Sequence, residues 1–321
     1  MARVFITGAT GPVGSSLAEY IVRQPEVELS VFRRWRSDPR ALASVQSQIT
    51  FYEGDIEDAF AVGDAVAQAQ PDYVFHLAAQ SYPSASWGAP VATMRANVEG
   101  TINLLEAVRR HAPAARVHIA GSSAQYGVVA PEAIPIKESH PMRPASPYGI
   151  SKVSQELLGL QYFDSYGIHT VVTRSFNHVG PRQGDRTAIQ TFCRQMALIE
   201  VGRQGPVIKV GNLDPQRDYT HVDDVARALW ALIQCAPGGS VFNMCSGRAV
   251  RIGDILDMVV AQGRVPITIE VDLNRLRPLD EPILRGDNSR LVALTGWQPQ
   301  ISMQQIIIES LDYWRLRIRD E

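Results

Sequence analysis

Residues 146–152 read SPYGISK, which puts Tyr148 and Lys152 four positions apart and on one face if the stretch is helical. A phenol and an ammonium so placed can serve as a proton donor and the cation that tunes it. An interface tyrosine beside a surface lysine is the competing reading. A phenol with a reference pKa of about 10 is a weak acid near neutrality. A cation ~5 Å away, at an effective dielectric of ~20, contributes roughly 3 kcal/mol, or about two pKa units. On that arithmetic Tyr148 comes into the useful range for general acid–base work. The nearby stretch GSSAQYG (121–127) offers hydroxyls at Ser122 and Ser123 but no acid.

A second chemical signal stands near the start of the chain. TGATGPVG (7–14) follows the first apolar run and precedes a helical pattern, with Gly8, Gly11 and Gly14 spaced as GxxGxxG and Pro12 and Val13 between them. Glycine allows a tight turn, close approach of a pyrophosphate, and packing of helix on strand. The helix N-terminus then offers free N–H groups and a favourable dipole to phosphate. A plain strand–helix turn is the bland alternative, but the position at the first β–α junction favours a dinucleotide.

The second strand ends in VFRRWRS (31–37), with Arg33, Arg34 and Arg36 where an acid commonly holds a free ribose 2′-hydroxyl. Guanidinium groups suit a 2′-phosphate, so NADP(H) is expected rather than NAD, against the alternative of a solvated basic loop. Asp55, beside Ile56 after the third strand, is placed for an adenine amino group. HLAAQS (76–81) supplies Leu77, Ala78 and Ala79, where the backbone can pass near the cofactor.

The elements that must position these groups follow from the hydrophobic pattern. RVFIT (3–7), ELSVF (28–32), ITFYE (49–53), DYVFHLA (72–78), ARVHIAG (115–121) and HTVVTRS (169–175) read as strands, alternating with amphipathic stretches such as 91–111. The βαβα order predicts an α/β fold, a Rossmann-like doubly wound parallel sheet. After Phe176, glycines and prolines break the rhythm. Helices are expected over 187–201, 221–234 and 301–317, with VFNMCS (241–246) returning to the main sheet. The expected division is a nucleotide-binding domain over 1–175, with about 213–246 returning to it. A smaller interwoven substrate lobe takes 176–212 and 247–321.

Composition sets the bounds. A chain of 321 residues that is 45% hydrophobic can bury a large core, and a net charge of −2 with basic residues mostly not bunched argues against a nucleic-acid partner but allows local anion sites. No run is long enough for a membrane helix, and with a first strand expected near Arg3 no signal peptide is expected. Cys193, Cys235 and Cys245 lack metal spacing and are expected as buried free thiols in a reducing, cytoplasmic setting. No metal site is expected, and His178 is given no catalytic role.

TGATGPVG, HLAAQ, Asn97, GSSAQYG and SPYGISK, in this order, resemble the extended short-chain dehydrogenase/reductases over nearly the whole chain. The resemblance implies that Tyr148 is the acid/base, Lys152 its partner and a contact of the nicotinamide ribose, and Ser122 the residue that aligns the substrate carbonyl. It also places Asn97 at the cofactor. FNHVGPRQ (176–183), GNLDPQRDYTHVDDV (211–225), RLRPLDEPILRGDNSRL (275–291) and TGWQP (295–299) resemble enzymes of nucleotide sugars, foremost the GDP-4-keto-6-deoxy-D-mannose reductases and next the GDP-mannose 4,6-dehydratases. By that resemblance Ser81 binds the substrate, Asn177 sits between sugar and cofactor, and Arg217 and Arg277 contact the diphosphate. A structural ion pair is the alternative for each arginine, above all for Arg217 beside Asp218. A homodimer through the helices around 91–111 and 148–166 is expected from the family.

A 4,6-dehydratase must also expel a hydroxyl from C6, and such relatives carry an acid two residues after the catalytic Ser or Thr. Ala124 stands at that place. Losing a general acid costs ~10²–10⁴ in rate. The expected substrate is therefore a GDP-linked 4-keto-6-deoxyhexose, reduced at C4. A 4-epimerase, a dehydratase and a non-catalytic NADP sensor are the alternatives.

Overall fold

The computed structural model describes residues 1–276 and 281–320. The chain opens with β1 (Ala2–Thr7), α1 (Pro12–Ile21), β2 (Val27–Arg33), β3 (Ile49–Glu53), α2 (Ala59–Ala69) and β4 (Tyr73–His76). Two short helices, α3 (Pro83–Gly88) and α4 (Pro90–Met94), lead through a π-helical turn at Arg95–Glu99 into α5 (Gly100–His111). Then come β5 (Arg116–Ala120), α6 (Pro147–Tyr166) and β6 (His169–Ser175). All six expected strands are present, because each is a short β-branched run bounded by turn residues.

The main sheet is parallel and has seven strands. β3, β2, β1, β4, β5 and β6 lie side by side in that order. Helices cover both faces, which is why the strands read as nearly continuous apolar runs rather than alternating ones. Leu17, Ile21 and Leu229 pack on one side, and Val66, Leu104 and Val108 on the other. Strand order reverses between β1 and β4, so a crevice opens beyond their C-terminal ends.

The second part of the chain runs through β7 (Asn177–Val179), α7 (Ala188–Glu200), β8 (Val207–Val210), β9 (Gln216–His221), α8 (Val222–Cys235) and β10 (Ser240–Met244). It ends with β11 (Ala249–Arg251), α9 (Ile252–Ala261), β12 (Thr268–Val271), β13 (Ile283–Leu284), α10 (Ser289–Thr295) and α11 (Met303–Asp320). β9 is the centre of a small sheet with β7, β11 and β13, while β8 pairs with β12. α7, α9 and α11 close a separate core around Met196, Ile255 and Leu311.

The two parts interweave. β10 pairs with β6 and completes the main sheet. The return begins at α8 rather than near residue 213, since β9 belongs to the small sheet. Leu291 and Trp297 also pack into the main core, so the C-terminal stretch is shared. The indole of Trp297 donates to Asp224 O at 2.9 Å, which pins this crossing.

No helix among the described residues is long and apolar enough to cross a membrane. They hold no cluster of metal-ligating side chains. Cys193 and Cys245 are buried free thiols, but Cys235 is exposed at the end of α8, contrary to the expectation for all three.

Candidate active site

The start of α6 explains the placement of Tyr148 and Lys152. Ser146 caps the helix by accepting from Gly149 N at 3.1 Å, Pro147 takes the first turn, and Gly167 ends the helix at φ +69°. Tyr148 and Lys152 therefore stand one turn apart, facing the loop that follows β5. A Cβ on Gly149 would meet Ala124 O at 2.7 Å, so glycine alone lets this loop press against α6. That contact was invisible in the motif, where Gly149 reads as a spacer.

Burial sets the proton affinities here. Tyr148 is 7% exposed and Lys152 3%. Burial raises the Tyr148 phenol above its ordinary value, and the Ser122 side chain offsets this in part. Burial also pushes the Lys152 ammonium down to about 7. The expected lowering of the phenol by its neighbouring cation is thus not what this form of the protein shows. Lys152 Nζ lies 5.8 Å from the Tyr148 ring centroid and donates to Ala120 O at 2.8 Å. It is itself desolvated, and no carboxylate offsets that desolvation, so the field that it could lend the phenol is weakened.

Ser122 Oγ accepts from Ala124 N at 3.2 Å, and Ser122 N donates to the Gln125 side chain at 2.8 Å. No carboxylate contributes to the shift of the Tyr148 phenol. Burial pushes His178 down to about 4, so it is neutral near pH 7 and supplies no cation.

The three glycines of the first turn divide their tasks. A Cβ on Gly8, at φ +75°, would meet Ala78 N at 2.6 Å, and one on Gly14 would meet Gly8 O at 2.4 Å. These two serve the packing of the turn against the β4 loop and of α1 on the turn. A Cβ on Gly11 would meet only Gly8 O, at 3.4 Å, and otherwise faces open space. Gly11 is the N-cap of α1, with no side chain bonded to the helix end and no acid in the first turn. Pro12, Val13 and Gly14 follow it, so the open cradle and the N–H groups of Val13 and Gly14 fit a dinucleotide phosphate.

The basic loop is partly occupied. Arg33 pairs with Glu53 at 3.0 Å and lies 4.5 Å above the Phe51 ring, while Arg36 pairs with Asp55 at 3.2 Å. Arg34 is exposed and has no carboxylate partner among the described residues. Asp55, expected at an adenine, is thus already engaged by Arg36. Ile56 is buried, and a Cβ on Gly100 would meet its side chain at 2.9 Å.

Leu77, Ala78 and Ala79 line the β4 side of the crevice. Thr7 Oγ1 receives Ala78 N at 3.2 Å and bonds His76 Nδ1 at 2.9 Å. Ser81 is exposed. Asn97 is fully buried in the π-helical turn, and its amide is used at both ends. Its Oδ1 accepts from Gln80 N at 2.7 Å, and its Nδ2 donates to Ser151 Oγ at 2.9 Å. Asn97 therefore ties the 77–81 loop to α6.

Asn177 and Arg217, expected at the substrate, lie on β7 and β9 of the small sheet. Asn177 Nδ2 donates to Asp218 O at 3.1 Å. Arg217 donates to the carbonyls of Gln216, at 2.9 Å, and Glu281, at 2.6 Å. Asp218 is held by Ser246, Gly247 and Gly286. Arg217 is thus engaged by backbone carbonyls, and Asp218 by Ser246, Gly247 and Gly286. Arg277 lies outside the described residues. A cavity of about 460 Å³ opens in the smaller lobe between Thr191, Arg194, Lys209, Glu270 and Arg275. None of the Ser122, Tyr148 and Lys152 trio lines it.

The family described as GDP-mannose 4,6 dehydratase matches residues 5–310. The GDP-6-deoxy-D-mannose reductase of Pseudomonas aeruginosa is 33% identical over 319 residues, covering 99% of each chain. The solved structure of RMD from Pseudomonas aeruginosa complexed with NADPH is similar at a TM-score of 0.85 and 31% identity, covering 99% of this chain and 100% of that one. The UDP-glucose 4-epimerase of Thermus thermophilus, solved with NAD, is similar at a TM-score of 0.86 and 26% identity, covering 98% and 99%. The chain belongs to the GDP-mannose 4,6 dehydratase family, within the extended short-chain dehydrogenase/reductases, whose members are NAD(P)-dependent enzymes of nucleotide sugars.

Proposed function

We propose that this protein reduces the C4 ketone of a GDP-4-keto-6-deoxyhexose with NADPH, giving GDP-D-rhamnose. The observation that carries this reading is a complete Ser122, Tyr148 and Lys152 set with no carboxylate acting on the phenol and Ala124 where a dehydratase needs an acid. The reductase of Pseudomonas aeruginosa, alike over its full length, supports the same assignment.

Gly8, Gly11, Pro12, Val13 and Gly14 would hold the diphosphate of NADP(H), Arg33 and Arg34 the 2′-phosphate, and Asp55 and Ile56 the adenine side. Leu77, Ala78 and Ala79 would flank the rest. Bound there, NADPH supplies the hydride for C4. Tyr148 gives its proton to the ketone oxygen, and Ser122 Oγ donates a hydrogen bond that aligns the carbonyl beforehand. Lys152, when protonated, stabilises the phenolate that Tyr148 leaves behind. Ser81 and Asn177 would orient the sugar, and Arg217 and Arg277 the diphosphate. Arg194, Lys209 and Arg275 make the cavity of the smaller lobe a candidate for the charged nucleotide end of the substrate.

A 4,6-dehydratase would need an acid that this loop lacks. A 4-epimerase works with retained NAD, which the arginines after β2 disfavour. A sensor without catalysis would have no use for a buried Tyr148 and Lys152 aligned with Ser122. The decisive experiment is incubation with GDP-mannose and catalytic NADP, without added dehydratase. No 4-keto-6-deoxy product is expected. Its robust accumulation would mean that another residue supplies the acid and that the reductase assignment is wrong.

A cytoplasmic homodimer belongs to the same proposal. Ile102, Ile150 and Leu157 are exposed on α5 and α6, the helices expected at the interface. Sedimentation should show a dimer that Leu157→Glu weakens.

A further inference from the structure

Ser122 is tied to more than its own loop. Its N–H donates to Gln125 Oε1 at 2.8 Å, and Gln125 Nε2 donates to Glu156 Oε2 at 2.7 Å. Glu156 receives both prongs of Arg174, Nε at 2.9 Å and Nη2 at 2.6 Å. Arg174 also donates to Glu138 O at 2.9 Å and lies 4.9 Å above the Tyr126 ring. Gln125 and Glu156 are 0% and 1% exposed, so the bond between them is shielded from bulk water. A Cβ on Gly121 would stand 2.5 Å from Gln125 Oε1, so that glycine keeps the space open.

Glu156 sits on α6 one turn beyond Lys152 and two beyond Tyr148. The helix that carries the proton donor therefore also anchors the loop that carries the hydroxyl. We propose that Gln125 is a positioning residue: its amide is a strut that fixes Ser122 relative to Tyr148 by tying the Ser122 backbone to Glu156. The catalytic consequence rests on the reductase reading; the strut itself does not.

An uncharged amide fits both contacts at any pH. It accepts from a backbone N–H at one end and donates to a carboxylate at the other. An apolar side chain of the same size would leave the Ser122 N–H and a Glu156 lone pair unmet in a buried place. A carboxyl there would face Glu156 with like charge unless one of the two held a proton. The charged groups around it are Glu156 and Arg174, with Glu138 joined to Arg174 through its carbonyl and Lys152 one helical turn from Glu156.

The test compares the unmodified protein with Gln125→Met and Gln125→Glu, with kcat normalised to NADPH-binding sites so that unfolded protein does not count. Gln125→Met should lower kcat for the ketone roughly tenfold to a hundredfold, with NADPH affinity and KM within about twofold. Its deficit should not vary with pH. Gln125→Glu should recover kcat as pH falls, because a protonated carboxyl can donate to Glu156 and still accept from Ser122. Amide exchange at Ser122 should be at least about tenfold faster in Gln125→Met than in the unmodified protein. Unchanged kcat in Gln125→Met with NADPH binding intact would overturn the positioning role. If the unmodified protein reduces no ketone, the reductase reading fails separately. Amide exchange then decides the strut alone: unchanged protection of Ser122 in Gln125→Met refutes it, and faster exchange upholds it.

Discussion

Tyr148 and Lys152 are 7% and 3% exposed, and their neighbours Ser122, Gln125 and Asn97 are bonded within the protein, whereas the cavity of the smaller lobe is lined by exposed charges such as Lys209. The first region is assembled in advance. It is built by one helix, one loop and the glycines that let them touch. The second is lined by one stretch that runs from Asp185 through α7 to Lys209 on β8, together with Glu270 on β12 and Arg275 after it. Burial governs proton affinity in the first. In the second, solvent screens the charges, and each contributes little alone. Changes in the buried region should therefore act on turnover, and changes in the open region on substrate affinity.

The largest effect should come from Tyr148→Phe. The ring still packs while the proton donor is lost, so kcat should fall by roughly 10²–10⁴ with NADPH affinity retained. Stopped-flow reduction alongside NADPH titration checks both halves. Near-normal turnover would remove Tyr148 from the mechanism.

Next is the cofactor end. Arg34 has no carboxylate partner among the described residues, while Arg33 is already shared with Glu53. Arg34→Ala should weaken NADPH binding roughly tenfold to a hundredfold and leave NADH binding unchanged. Arg33→Ala should do less. Equal affinity for NADH and NADPH in the unmodified protein would contradict the assignment of this loop.

A pH effect of intermediate size follows from Lys152. Its pKa is pushed down to about 7 by burial, so the ammonium is present below that pH and lost as pH rises through it. Since the charged form stabilises the phenolate, kcat/KM for reduction should fall on the alkaline side of about 7. The slope should approach tenfold per pH unit for a single group. A flat profile between about pH 6 and 9 would show that Lys152 does not act through its charge. The smallest effect should be that of Lys209→Ala in the open cavity, which should raise KM about twofold to fivefold with kcat unchanged. A fall in kcat instead would erase the distinction between the two regions.

Much of the main sheet was legible because each strand is encoded by a contiguous run. The SPYG start of α6 likewise carries its own cap, first-turn proline and tyrosine. The spacing of Tyr148 and Lys152 therefore survives into space. Three things were not legible. Gln125 reads as a non-titrating gap in the loop, since its partner Glu156 lies 31 positions away. Asn97 reads as an amide free for a cofactor, because nothing local says that Gln80 and Ser151 will occupy it. The sign of the Tyr148 shift depended on depth of burial, which a pairwise charge estimate leaves out. The lobe boundaries were read too simply, because β9 and the Leu291–Trp297 stretch are assigned by packing and not by any turn signal.

The central claim is that this site delivers one hydride and one proton to a ketone. Its most direct test is to mix the protein with GDP-4-keto-6-deoxymannose and excess NADPH and to follow the product by NMR. The account predicts one NADPH oxidised per sugar, with GDP-D-rhamnose as product. A mixture in which the 4-keto sugar persists and NADPH is not consumed would contradict it.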